Sequence, residues 1–134
     1  MKRISDIEGI GPGYAEKFNN AGIKSVEDLL NAGSDQKGRK QLAATTGISD
    51  KLVLKWVNMA DLFRIKGIAG QYAELLEVSG VDTVKELAQR NAQSLHEKMS
   101  EANEAKQVVR MLPALTIVQS WVKEAKTLPR RVNY

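Results

Sequence analysis

An all-α fold of two pseudo-repeats around one compact helical core follows from three features of this sequence. Apolar residues recur at helical spacing, and no segment alternates apolar and polar residues over strand length. The chain also repeats itself. Ile7-Glu8-Gly9-Ile10-Gly11-Pro12-Gly13-Tyr14-Ala15-Glu16 is echoed by Ile65-Lys66-Gly67-Ile68-Ala69-Gly70-Gln71-Tyr72-Ala73-Glu74. Gly22-Ile23-Lys24-Ser25-Val26 is echoed by Gly80-Val81-Asp82-Thr83-Val84, and Leu29 by Leu87, all at an offset of 58. Farther on the register slips by 7, and Val53, Trp56, Val57 and Ala60 answer to Val118, Trp121, Val122 and Ala125. A fixed period of this length marks a duplicated structural unit. It divides the chain into repeat one, 1–64, and repeat two, 65–134.

The elements follow from caps and periodicity. After the Gly9-Ile10-Gly11 turn, Pro12 opens a helix at the position where its missing N–H costs nothing. Tyr14, Ala15, Phe18 and Ala21 give that helix an apolar stripe, and Gly22 is its left-handed stop. Ser25-x-x-Asp28 is a capping box for a short helix through Leu29 and Leu30. A helix around Asp35–Thr45 ends at Gly47. Ser49 caps the next, where Leu52, Val53, Trp56, Met59, Ala60 and Phe63 form one broad apolar face. In the second copy Tyr72, Ala73, Leu76 and Gly80 repeat the stripe and stop. Thr83-x-x-Glu86 and Ser94-x-x-Glu97 read as capping boxes. A helix is expected around Glu101–Met111, and Pro113 precedes a last one carrying Leu115, Val118, Trp121, Val122 and Ala125. Only Met1–Ile7 precedes the first hairpin, too little for a full partner helix. The Trp121 helix is therefore expected to pack there and close a pseudo-twofold arrangement.

The 134 residues are 43% hydrophobic and 27% charged, an ordinary globular balance. Aromatics are only 5%, so the core is mostly aliphatic. The absence of Cys excludes disulfides, thiolate zinc sites and cysteine nucleophiles. No apolar run follows the basic pair Lys2-Arg3, and none approaches the ~20 residues of a membrane helix. The expected location is the cytoplasm. The net charge of +4, shared equally by the two halves, permits contact with nucleic acid without demanding it.

The run from Ile7 to Phe18, apolar-x-Gly-apolar-Gly-Pro-x-x-Ala-x-x-apolar, resembles the helix-hairpin-helix motif. In that motif the glycines let the backbone turn tightly, Ile10 plugs the space between helices, and Ala15 lets them approach. The repeat as a whole, with Ala21–Leu30 and the Lys55-Trp56-Val57-Asn58 helix, resembles a family of uncharacterised prokaryotic proteins with paired helix-hairpin-helix repeats. The resemblance implies tandem helix-hairpin-helix pseudo-repeats sharing one compact core. It also implies that hairpin amides and the following helix start hold a DNA phosphate, since free N–H groups at a helix start favour an anion. The candidate phosphate-binding residues are Gly9, Ile10, Gly11, Gly13, Lys17 and Lys24. A weaker second set is Gly67, Ile68 and Gly70, because Ala69 replaces the last hairpin glycine and Leu75 stands where the first copy has Lys17. The second hairpin is thus expected to be stiffer and less basic. Both copies depart from DNA-binding hairpins just after the loop, with Gly13-Tyr14 and Gln71-Tyr72 in place of a basic or small polar residue.

Trp56 and Trp121 read as core anchors. Lys37, Arg39 and Lys40 form a small basic run near a helix start, and Arg130-Arg131 another. His96, the only histidine, is expected at the surface. One His, no Cys and no acidic cluster at ligand spacing leave no triad and no zinc site. Gly9-x-Gly11-x-Gly13 lacks the preceding strand of a dinucleotide fingerprint. No metal or cofactor is expected. The reading is a non-enzymatic, sequence-nonspecific binder of duplex DNA. The alternative is a protein-interaction or scaffold module with structural hairpins. Oligomeric state is not encoded in any feature of the sequence.

Overall fold

The computed structural model describes residues 2–134. Among them a short 3-10 turn, Ile4–Asp6, precedes eight α-helices. These are α1 Pro12–Asn20, α2 Val26–Ala32, α3 Gln36–Thr46, α4 Asp50–Leu62, α5 Gly70–Val78, α6 Val84–Ala88, α7 Ala92–Lys106 and α8 Leu115–Ala125. No strand forms among the described residues, where Arg3 and Ser25 make one isolated antiparallel bridge. None of these helices is long and apolar enough to cross a membrane.

The chain divides into two compact units. Unit one is Met1–Asp61 with Arg131–Tyr134, and unit two is Leu62–Arg130. Each has its own buried set. Phe18, Leu29, Leu30, Val53, Trp56 and Met59 fill the first; Ile65, Ile68, Leu75, Leu76, Leu87 and Trp121 fill the second. Each such side chain contributes roughly 1.5–3 kcal/mol through its removal from water.

In unit one the local signals act as read. Gly22 has φ +84°, and the next amide, Ile23 N–H, bonds back to the Phe18 carbonyl at 2.8 Å. That satisfies an orphan carbonyl at the end of α1. The Ser25 hydroxyl accepts from Asp28 N–H at 3.0 Å while the Asp28 carboxylate accepts from Ser25 N–H at 3.1 Å, completing the capping box of α2. Asp35 caps α3, which ends at Gly47 with φ +74°. Ser49 accepts from Leu52 N–H at the start of α4.

In unit two Gly80, with φ +93°, ends α5 in the same way, and Val81 N–H returns to the Leu76 carbonyl. Thr83 caps α6 through Glu86 N–H. The expectation for the next helix is corrected. α7 begins at Ala92 under an Asn91 cap, so Ser94 is an interior residue and no cap. It stops at Lys106, because Gln107 takes a left-handed conformation, φ 50°. Asn103 then ties down the following loop, donating to and accepting from the backbone of Val109. His96 is half-buried and bonds the Pro113 carbonyl at 2.9 Å. It fastens that loop to α7 and is not the free surface residue expected.

The placement of α8 is also corrected. It packs on α6 and α7 inside unit two, with Trp121 on that unit's own hairpin turn. Each repeat carries its own plug: Trp56 lies on the turn at Gly9, and Trp121 on the turn at Gly67.

Candidate nucleic-acid interface

The first hairpin is a turn between the 3-10 turn and α1. Ile7 and Ile10 are buried and anchor it from below. Gly9 has φ +95°, a region that side chains rarely enter, and a β-carbon there would lie 3.2 Å from Trp56 Nε1. Gly9 therefore serves both conformation and close packing. Gly11 and Gly13 serve neither. Gly11 is extended, at φ −82° and ψ −176°, and Gly13 is helical. A β-carbon on either would meet no atom within 4 Å. What these two residues provide is an open surface over the start of α1.

That start has no side-chain cap. Ala15 N–H bonds the Gly11 carbonyl, and Pro12 has no N–H. The N–H groups of Gly11, Gly13 and Tyr14 have no acceptor among the described residues. They are the orphan donors of a helix N-terminus, where the helix dipole adds positive potential. Lys17 is exposed one turn along, its Nζ 5.6 Å from the centre of the Tyr14 ring. Glu16, also exposed, opposes it on the same helix.

Two of the candidates stand apart from this group. Ile10 is buried and its N–H is taken by the Ile7 carbonyl at 3.1 Å, so it supports the turn and is not a free donor. Lys24 follows the stop of α1, its carbonyl accepting from Ile4 N–H. The nine residues of α1, roughly 13 Å at helical rise, separate it from the open amides.

The second hairpin has the same frame. Gly67 has φ +92° and faces Trp121 Nε1 at 3.4 Å from a notional β-carbon. Ile68 is buried, with its N–H on the Ile65 carbonyl. Ala69 is extended, at φ −145°, a conformation open to any residue. Its replacement of glycine therefore introduces no backbone strain. α5 is also uncapped, and Gly70 there has φ +26°. The true difference lies at the next turn, where Leu75 is fully buried and Lys17 is exposed. Beside the α5 start runs a groove whose lining includes Gly67, Gly70, Tyr72, Arg110 and Met111.

A family model described as a domain of unknown function (DUF4332) matches residues 8–128. The chain belongs to this family. The DUF4332 match begins beside the first hairpin and ends beyond α8, so it takes in both copies of the duplication. No curated protein and no solved structure matches the chain.

The two basic clusters of this DUF4332 chain are divided by the structure between exposed and engaged side chains. Lys37 and Lys40 are exposed, but Arg39 between them is buried and bonds the Gly33 carbonyl at 2.9 Å. Arg131 pairs with Glu27 at 3.2 Å. Arg110 and Met111, expected at the end of a helix around Glu101–Met111, instead lie exposed in the loop after α7, which stops at Lys106. Among the described residues no group of three or more acidic or histidine side chains is placed to hold a metal.

Proposed function

We propose that each unit is a helix-hairpin-helix repeat and that the chain is a non-enzymatic binder of duplex DNA without sequence preference. The grip is the phosphate backbone, held at the start of α1. The observation that carries this reading is the open, uncapped helix start at Gly11, Gly13 and Tyr14, with Lys17 exposed one turn further. Backbone amides bind phosphate oxygens without regard to sequence, and glycines at 11 and 13 leave room for a sugar-phosphate chain to come close. Gly67 and Gly70 supply a second contact with no lysine at its Leu75 position. Lys24 acts only as a peripheral charge.

The test is a titration of the full chain against duplex DNA, single-stranded DNA and RNA at rising salt. Binding to duplex is expected with Kd of ~10⁻⁴–10⁻⁶ M near physiological salt, weakening as salt rises. Absence of salt-sensitive binding to any nucleic acid at ~100 μM rejects the reading. The competing reading is a protein-interaction or scaffold module whose hairpins only pack helices. Its support is the exposure of Met111 at 79% and Ile117 at 46%, and it stands if the titration is silent.

A further inference from the structure

Residues Arg131–Tyr134 belong to unit one although all of unit two precedes them in the chain. They are held there as a bound peptide is held. The backbone is gripped at one residue. Asn133 N–H donates to the Ser34 carbonyl at 2.8 Å, and the Arg39 guanidinium donates to the Asn133 carbonyl at 2.8 Å. The side chains are met one by one. Arg131 pairs with Glu27 at 3.2 Å and bonds the side-chain oxygen of Asn31. Val132 is buried. The Tyr134 hydroxyl donates to Asn58 Oδ1 at 3.1 Å, and its ring centre lies 5.7 Å from the Arg39 guanidinium. Main-chain bonds of this kind hold any extended segment, and the side-chain contacts select which one.

Arg39 is the pivot. It is buried and donates to two backbone carbonyls, those of Gly33 and Asn133. Withdrawal of Asn133 would leave a buried guanidinium short of an acceptor, which is unfavourable. The second copy serves as an internal control. At the offset relating the copies, Glu27 answers to Lys85 and Asn31 to Gln89; in the last helices Asn58 answers to Lys123. A lysine where Arg131 finds its carboxylate would repel it. The contacts are thus particular to unit one and are not a by-product of the duplication.

We infer that unit one carries a recognition cleft for a short extended peptide with a basic, an aliphatic and an aromatic side chain at its first, second and fourth positions, and that the cleft is filled in cis by Arg131–Tyr134. This inference is independent of the nucleic-acid reading. Its first test uses the intact chain. Amide exchange at Asn133 is expected to be at least about tenfold slower than in an unstructured segment, as for a closed hydrogen bond. Glu27→Lys is expected to speed that exchange, and the charge-swapped Glu27→Lys/Arg131→Glu pair to restore it in part. In a second arm, the full chain lacking residues 131–134 is titrated with acetylated Arg-Val-Asn-Tyr peptide. Saturable binding, lost on Glu27→Lys, is expected. Exchange at the unstructured rate overturns the inference, as does a folded deletion protein that ignores the peptide. Protection that appears only as the protein dimerises places the segment in a second copy and overturns the cis assignment. If the deletion protein does not fold, the exchange arm decides alone.

Discussion

Tyr14 stands edge-on to Trp56, with ring centres 4.9 Å apart and planes at 64°. Phe18 meets the same indole from the next turn at 6.0 Å. The indole thus sits under the first turn of α1 and joins the hairpin to α4. Tyr72 and Trp121 make the corresponding pair in unit two, at 5.5 Å. Both indoles are 2% exposed. Replacing either Trp with Ala is expected to cost ~3–5 kcal/mol, the range for a large core aromatic. Denaturant unfolding measures it, and a loss below ~1 kcal/mol would show that the indole is not a core anchor.

The hairpin glycines divide by role. Gly9→Ala forces a side chain into a left-handed conformation against Trp56, and is expected to destabilise by ~1–2 kcal/mol. Gly11→Ala meets empty space in a conformation that alanine adopts freely. It should leave the melting temperature unchanged or slightly raised, because alanine restricts the unfolded chain more than glycine does, while weakening duplex binding, because its methyl group stands where the phosphate approaches. Thermal melts paired with DNA titrations separate the two effects. Equal binding by wild type and Gly11→Ala would remove Gly11 from the contact.

Lys17 and Leu75 occupy matching positions with opposite surroundings. Lys17→Gln is expected to leave stability unchanged and to lower the salt slope of duplex binding by about one, the signature of one lost phosphate contact. Leu75→Glu places a carboxylate in a fully buried position. It is expected to cost at least the ~2–5 kcal/mol of a buried Leu→Ala. An unfolding curve that barely moves for Leu75→Glu would show that α5 does not bury this position.

The Asp28 carboxylate is held below its ordinary range, first by the N–H of Lys24 and then by that of Ser25. A carboxyl with a depressed folded-state pKa stabilises the fold above its unfolded value and loses that contribution as pH falls through the folded value. The cap of α2 is therefore expected to weaken only below about pH 4, the unfolded carboxylate range. Asp28→Asn should flatten the decline of melting temperature in that window and leave the neutral range with a smaller, pH-independent loss.

What was legible in the sequence was local or repeated. The Gly22 and Gly80 stops, the Ser25–Asp28 box and the buried Trp faces are decided by residues within a few positions of each other. The extent of α7 is poorly marked in the sequence because the helix is mostly polar. Only Leu95 and Met99 are buried along it, and Ser94-x-x-Glu97 offers a cap pattern that the true cap, Asn91, overrides. Ala69 replaces a motif glycine without strain, because a glycine in a motif need not hold a conformation that only glycine can adopt. The pairing of Trp121 with Gly67, and the burial of Arg39 under Asn133, depend on residues far apart in sequence, where no local pattern exists to be read. Of the phosphate-binding candidates, the sequence could not separate Ile10 and Lys24 from the rest. That separation depends on where one N–H finds its acceptor and on which end of α1 a lysine stands.

Unit one is discontinuous, since its last four residues come after the whole of unit two. During synthesis, at roughly 5–20 residues per second, the first sixty residues leave the ribosome before the segment that covers Arg39 has been made. Unit two, contiguous from Leu62 to Arg130, has every residue it needs before then. The contacts that residues 131–134 make with Glu27, Asn31, Arg39 and Asn58 can form only after all of unit two has been synthesised.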